Sequence, residues 1–455
     1  MQRSEFLKLS LAGLGSLAFS SMRAEGRSTE QKTVIIVGAG MAGAAAARSL
    51  TDAGFKVTVL EARDRVGGRI HTFRDWDIPL ELGAGWIHSG YPDAEVLTKL
   101  ARKYQVSTAN TDYSKFKLFT EQGNLVSPQK AERLYEDVVE KRLLDEVVKI
   151  QQAHQDYSVA QVFDRALRGV SLDNEARAIV SFYREGFANS LNTQLDQVSA
   201  RYYLNQAAIQ SQQHDALVTN GFDTIVRALL QDIEVQHSVV VKHIAPLGEG
   251  VKVETLRGNW EANYVIVTVP LSILQQQHIT FASEFSDAKK KALSSLRTGL
   301  FNKVIMQFSE PFWKDSAHLL AFQNSVKDSF GIVVNYHHFT GKPMLVAMPI
   351  TRAAQWVEQD PEAVQKKWQA ILQRAFPNKN IDIERVKISQ WHSDPFARGA
   401  YSYVPVGSSK QSFEALAEPV GPVHFAGEAT ESDNHGTVHG AYLSGLREAQ
   451  RIIRL

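Results

Sequence analysis

The chain has 455 residues, 44% of them hydrophobic, enough for a large folded enzyme with more than one core. Lys plus Arg is 50 against 49 for Asp plus Glu, so there is no basic footprint for a nucleic-acid backbone. The absence of cysteine excludes disulfides, thiolate metal ligands and cysteine nucleophiles, and the 14 histidines show no metal-ligand spacing, so no metal is expected.

In chain order, residues 1–24 read as an export signal. Arg3 and Lys8 precede an apolar run from Leu9 to Phe19, followed by small residues at Ser20 and Ser21. Arg3-Ser4-Glu5-Phe6-Leu7-Lys8 resembles a twin-arginine signal whose second arginine is Ser4, and export to the periplasm is the expectation. A frayed helix of a cytosolic protein is the alternative. The run is too short for stable membrane insertion. Thr33 to Val37 reads as a buried parallel strand, Met41 to Ala53 as a tightly packed helix stopped by Gly54, and Lys56 to Leu60 as a second strand. Between them Gly38-Ala39-Gly40-Met41-Ala42-Gly43 forms a G-x-G-x-x-G loop. Gly38 allows the turn, Gly40 lets the backbone approach a diphosphate, Gly43 lets helix and strand pack, and the helix N-terminus favours the negative charge. Glu61 ends the second strand, where a carboxylate accepts bonds from ribose hydroxyls.

Residues 92–213 turn helical and more polar, with Leu134, Val138, Leu143, Val147 and Ile150 as one apolar stripe over 131–152. Strands return over 239–253 and 264–269, and a mixed segment spans 301–385. The chain ends with a strand at 423–426 and a helix over 438–453. The cofactor-type segments are separated by insertions, so the domains are expected to be discontinuous.

After Glu61 come Ala62, Arg63, Arg65, Gly67, Gly68 and Arg69: cations to neutralise a diphosphate, and glycines that let the loop lie flat. This stretch resembles the second signature of the flavin amine oxidase superfamily, which includes monoamine and polyamine oxidases, L-amino-acid oxidases and the lysine-specific histone demethylase. Leu82 to His88 resembles the family loop along the isoalloxazine, which brings in Gly85 and Trp86. Val241 to Ile244 is similar to the strand whose backbone holds the adenine. Phe425-Ala426-Gly427-Glu428 resembles the motif whose glutamate contacts the cofactor, and Thr437-Val438 the start of the helix that meets the flavin pyrimidine. The resemblance implies an α/β fold: an FAD-binding, Rossmann-type (glutathione-reductase-like) domain from 32–90, 215–297 and 388–455. An α+β substrate-binding domain would come from 91–214 and 298–387.

The resemblance also supplies the chemistry. Lys303 stands where the family's lysine bonds a water beside flavin N5, and Trp391 and Tyr401 match residues packed near the ring. The segment from Trp391 to Tyr403 is similar to the polyamine oxidases and the demethylase especially. Ala400 stands where monoamine oxidases tether flavin through cysteine, which implies noncovalent FAD. Thr437 replaces the second tyrosine of the monoamine oxidase cage. His88 resembles the pocket histidine of animal-type polyamine oxidases, and Glu185 is a candidate carboxylate for a distal ammonium. The spacing leaves no room for the demethylase tower, which points away from chromatin. The expected reaction takes a hydride from the carbon beside a neutral amine, giving an imine that hydrolyses. Molecular oxygen or an exported electron carrier is the acceptor. An L-amino-acid oxidase, an amine dehydrogenase and a non-catalytic flavin-binding protein remain open.

Overall fold

The structure is a computed structural model that describes residues 31–88, 93–152, 155–204, 215–313, 316–323 and 331–455. The export signal read at 1–24 lies outside the described residues. Thr33–Val37 is a strand buried from Val34 onward, as its β-branched composition requires. It is the centre of a five-stranded, all-parallel sheet. Tyr264–Val267 and then Val423–Phe425 lie on one side, Lys56–Leu60 and then Glu234–Gln236 on the other.

The helix Met41–Asp52 follows the first strand. Its Ala42 to Ala47 face is buried, and the helix Val438–Ile453 crosses it. That crossing is as close as backbone allows: a Cβ at Gly445 would lie 2.2 Å from the Ala42 carbonyl oxygen. Gly43 is constrained in the same way, with a Cβ there 1.9 Å from the Gly38 carbonyl oxygen.

A second sheet has six strands. Ile383–Ile388, Val304–Phe308, Met344–Ala347, Ile332–Asn335 and Leu319–Phe322 run antiparallel in that order, and Phe116–Phe119 joins the last in parallel. The strands Val304–Phe308, Met344–Ala347, Ile332–Asn335 and Leu319–Phe322 are buried at every residue. A small sheet pairs Asp215–Val218 with Trp86–Ile87 and Thr108–Thr111.

The helical stretch expected over 131–152 begins at Pro128, capped by Ser127. From Glu136 to Leu143 it is wound more loosely, with i→i+5 bonding, before returning to an α-helix over Leu144–Gln152. The wider winding brings Val138 and Leu143, one residue further apart than an α-turn, to one buried face. Among the described residues no helix is long and apolar enough to cross a membrane.

Candidate active site

Gly38 takes φ +109°, a conformation open to glycine, and the loop it starts runs into the helix N-terminus at Met41. No side chain caps that helix. The space beside Gly40 is clear, since a Cβ there would meet only the Gly67 carbonyl oxygen, at 3.9 Å. Gly67 and Gly68 lie alongside, the Gly67 amide donating to the Ala39 carbonyl at 2.9 Å. An uncapped helix N-terminus beside open space fits a diphosphate.

Glu61 is buried at the strand end. Its Oε2 accepts from the Ala39 amide at 2.8 Å and its Oε1 from the Arg63 amide at 2.9 Å. These bonds fix the carboxylate and leave lone pairs for ribose hydroxyls. Arg63 is drawn to Asp394, 2.6 Å away. Arg65 turns inward and donates to the Val66 and Gly68 carbonyls, so it holds the loop. Burial and the Arg63 charge pull its pKa down to about 10.

One continuous cavity of about 2080 Å³ runs from this cradle across the molecule. Its lining includes Gly38, Gly40, Met41, Ala42, Glu61, Ala62, Arg63, Gly68, Arg69 and Val241 at one end. Gly85, Trp86, Lys303, Trp391, Tyr401, Glu428, Thr437 and Val438 follow, then Tyr135, Tyr183 and Phe187. Gly43 is absent from the lining and acts through packing. The volume exceeds that of an ordinary single-ligand cleft, about 300–1,000 Å³, and suits a dinucleotide with a substrate beside it.

Glu428 is buried. Arg69 Nη1 donates to its Oε1 at 2.8 Å, and the Ser402 hydroxyl and Gly436 amide donate to its Oε2 at 2.6 and 2.9 Å. Burial pushes its pKa up, but Arg69 and these donors outweigh that and hold it below the usual carboxylate range. The expected cofactor contact is thus also a hub of protein contacts. Thr437 is equally occupied: its hydroxyl donates to the Asn434 carbonyl at 2.6 Å and accepts from the Gly440 amide at 3.0 Å, capping the last helix.

Lys303 and Trp391 converge on the turn 81–85. Lys303 Nζ donates to the carbonyls of Glu81 and Gly83, at 2.8 and 2.7 Å, and lies 5.2 Å from the centre of the Trp86 ring. Trp391 Nε1 donates to the Leu82 carbonyl at 2.9 Å. Asn302 ties the two together. Its Oδ1 accepts from the Trp391 amide at 3.1 Å and from Ser389 Oγ at 2.9 Å, while Ser389 Oγ accepts the Lys303 amide at 2.8 Å. Burial pushes Lys303 towards its neutral form, opposed by the charge of Glu81. Tyr401 packs against Gly436, and its hydroxyl donates to the Ser190 carbonyl at 3.1 Å. Ala400 lines the cavity next to it.

His88 Nδ1 is 2.9 Å from Asp215 Oδ2, which also accepts from the Tyr113 hydroxyl at 2.8 Å. Sequence reasoning missed Asp215, Tyr113, Asn302 and Glu81. Only Glu81 left a signal, as a carboxylate between Leu80 and Leu82. Glu185, on helix Asn174–Ser190, is not among the lining residues, whereas Tyr183, Gly186 and Phe187 of the same helix are. Besides Glu61 and Glu428, the carboxylates that do line the cavity are Asp112, Glu132, Glu140, Asp215 and Asp433. Among the described residues no cluster could hold a metal ion.

A dinucleotide cradle continuous with an aromatic-walled chamber defines a flavoprotein oxidoreductase. The family model for flavin containing amine oxidoreductase matches residues 41–453, and the chain belongs to that family. It is 33% identical to polyamine oxidase 4 of Oryza sativa subsp. japonica over 438 residues, 92% of this chain and 88% of that one. It is 32% identical to lysine-specific histone demethylase 1 homolog 2 of Arabidopsis thaliana, covering 93% of this chain and 58% of that one. Its fold resembles a structure of putrescine oxidase bound to putrescine, with TM-score 0.74 and 23% identity over 93% of this chain and 99% of the other. The protein is an FAD-dependent amine oxidoreductase.

Proposed function

We propose that the substrate is a polyamine and that oxygen is the electron acceptor, giving imine and peroxide. The observation that carries the substrate class is a set of carboxylates on the cavity lining. Glu132 and Glu140 are exposed, Asp112 is partly exposed beside Lys115, and Asp215 is buried. A long, multiply charged amine gains from carboxylates spaced along its length, whereas a simple monoamine does not. Relatives named polyamine oxidases support the same reading.

FAD supplies the hydride acceptor for the carbon beside the amine nitrogen. The chain's residues bind and orient. Glu61 would hold the ribose, and the N-terminus of the helix that Met41 opens would receive the diphosphate. Arg69 and Glu428 tie together the loops that would enclose the ring, and the helix opened by Val438 would face the flavin. Trp391 and Tyr401 confine the reacting carbon and disfavour the charged amine by desolvation. Lys303 would hold a water at the edge of the bound flavin. The FAD is noncovalent, since no cysteine exists and Ala400 stands at the tethering position. Residues 1–24 direct export to the periplasm.

Anaerobic mixing with a panel of di-, tri- and tetraamines, aromatic monoamines and amino acids, followed by loss of oxidised-flavin absorbance, tests the substrate class. Bleaching by the polyamines is expected. Bleaching by amino acids or aromatic monoamines, with none by polyamines, overturns it.

A further inference from the structure

Among the described residues, Glu81 carries a buried carboxylate that the cofactor cradle does not use. It is 2% exposed, on a two-residue strand Leu80–Glu81 that is buried throughout, and it does not line the cavity. Burying an ionised carboxylate is costly unless it is bonded and countered. The bonds are in place. Its Oε1 accepts from the Phe222 amide at 2.8 Å, and the Thr72 hydroxyl lies 3.0 Å from both oxygens. These donors lock the side chain in one orientation.

The nearby cation is Lys303. Its Nζ donates to the main-chain carbonyl of Glu81 itself, and the two residues flank the same glycine. A Cβ at Gly85 would lie 2.9 Å from Lys303 Nζ and 3.2 Å from Glu81 Cβ. An ammonium has three donors. Two are spent on the Glu81 and Gly83 carbonyls, and the third is left for the cavity that Lys303 lines. A neutral amine could make the same two bonds, so the hydrogen bonds fix where the nitrogen is and not its charge. The charge is set by what surrounds it.

We propose that Glu81 is the positioning residue of Lys303: its carbonyl aims the amino group at the cavity, and its clamped carboxylate keeps that group an ammonium. The proposal rests on the reading of Lys303 as the residue at the flavin's edge. Burial drives the two groups in opposite directions, Lys303 down and Glu81 up, and each opposes the other's shift. The remaining ionisable groups around the pair are few. Asp223, which raises Glu81, is itself paired with Arg74 at 2.6 Å and Arg227 at 2.9 Å. The buried Tyr336 phenol is pushed up by burial and by Glu81, which keeps it neutral. Lys387 lies over the Phe73 ring, and burial pulls His71 down to about 4, so it is neutral at working pH. Lys303 therefore has Glu81 as its main countercharge.

The test measures the charge of Lys303 directly in FAD-loaded enzyme. Brief pulses of acetic anhydride at a series of pH values acylate only the free amine, and mass spectrometry reports the fraction at Lys303. Glu81→Gln keeps the shape and removes the charge. The labelling midpoint should fall by about one pH unit or more, the scale of losing a close opposite charge. Thr72→Ala unclamps the carboxylate and should move the midpoint the same way by less; it decides the matter if Glu81→Gln does not retain FAD. Unmoved midpoints, or no labelling of Lys303 at any pH, overturn the proposal. The pH profile of flavin reoxidation, measured alongside with Lys303→Met, separates the two readings. If the midpoint moves while reoxidation is the same in wild type, Glu81→Gln and Lys303→Met, Glu81 controls Lys303 but Lys303 has no part at the flavin.

Discussion

Gly40 and Gly43 belong to one glycine loop, yet the structure separates what each does. Gly40 has φ −78° and ψ −174°, an extended conformation that valine adopts without strain, and the protein leaves the space beside it clear. Gly40→Val should therefore fold, and its apoprotein should be as stable as wild type or gain up to about 1 kcal/mol from a stiffer unfolded chain. What it loses is the approach path of the diphosphate. At a thousandfold excess over Kd, a ligand adds about 4 kcal/mol to stability, and this whole increment should vanish in Gly40→Val. Gly43→Ala reverses the pattern. Its Cβ would sit 1.9 Å from the Gly38 carbonyl oxygen and 3.2 Å from Ile36 Cγ2, so helix and loop must separate. Overpacking of that kind costs about 1–3 kcal/mol with or without cofactor. The assay is flavin-to-protein absorbance after gel filtration, with thermal unfolding of apo and FAD-supplemented protein. Gly40→Val retaining flavin at the wild-type ratio, or melting far below wild type as apoprotein, would refute the argument.

Glu428→Gln removes a buried anion from Arg69, a loss of about 3–5 kcal/mol at neutral pH. Because the folded pKa of Glu428 is depressed, its contribution is complete above the unfolded value of about 4.3 and fades as pH falls through the folded value. Urea titrations at pH 7 and pH 4 should show the gap from wild type narrowing on the acid side; a constant gap contradicts this. Lys303→Met should slow reoxidation roughly 10²-fold, the scale of a positioned proton-transfer group, with a smaller effect on anaerobic reduction; stopped-flow traces of the two half-reactions check it. Glu132→Gln combined with Glu140→Gln should weaken apparent binding of a tetraamine about tenfold and leave a diamine less affected, read from the concentration dependence of bleaching. Acid or heat denaturation should release all FAD into the supernatant; colour that stays with the pellet refutes noncovalent binding.

The sequence made the cofactor end legible because diphosphate binding imposes strict local rules. The glycine loop, Glu61 and the capped helix at Thr437 are each defined by near neighbours in the chain, and the final helix runs over Val438–Ile453 as expected. The substrate end obeys no such rule. Asp215, Tyr113 and His88 meet only because three strands from separate parts of the chain share a small sheet. Glu185 was a candidate in sequence only as a carboxylate for a distal ammonium; its helix borders the cavity, but a helix presents only part of its circumference to any one wall. The loosely wound segment Glu136–Leu143 was likewise hidden, since apolar spacing alone does not separate it from an α-helix.

The contact between Ala42 and Gly445 has a consequence for how the enzyme is made. The first helix carries a face of alanines with little to hold, and its partner is the final helix of the described fold. A ribosome emits the first helix long before the second exists. During that interval the alanine face is unpartnered, and the carboxylate that anchors Arg69 has not been synthesised. Flavin capture is then expected to wait until the segment with Glu428 and the helix Val438–Ile453 has been made, so that loading accompanies the folding of that segment. A nascent chain stalled before Val438 should be colourless, and FAD supply during growth should limit the yield of folded enzyme rather than only its activity.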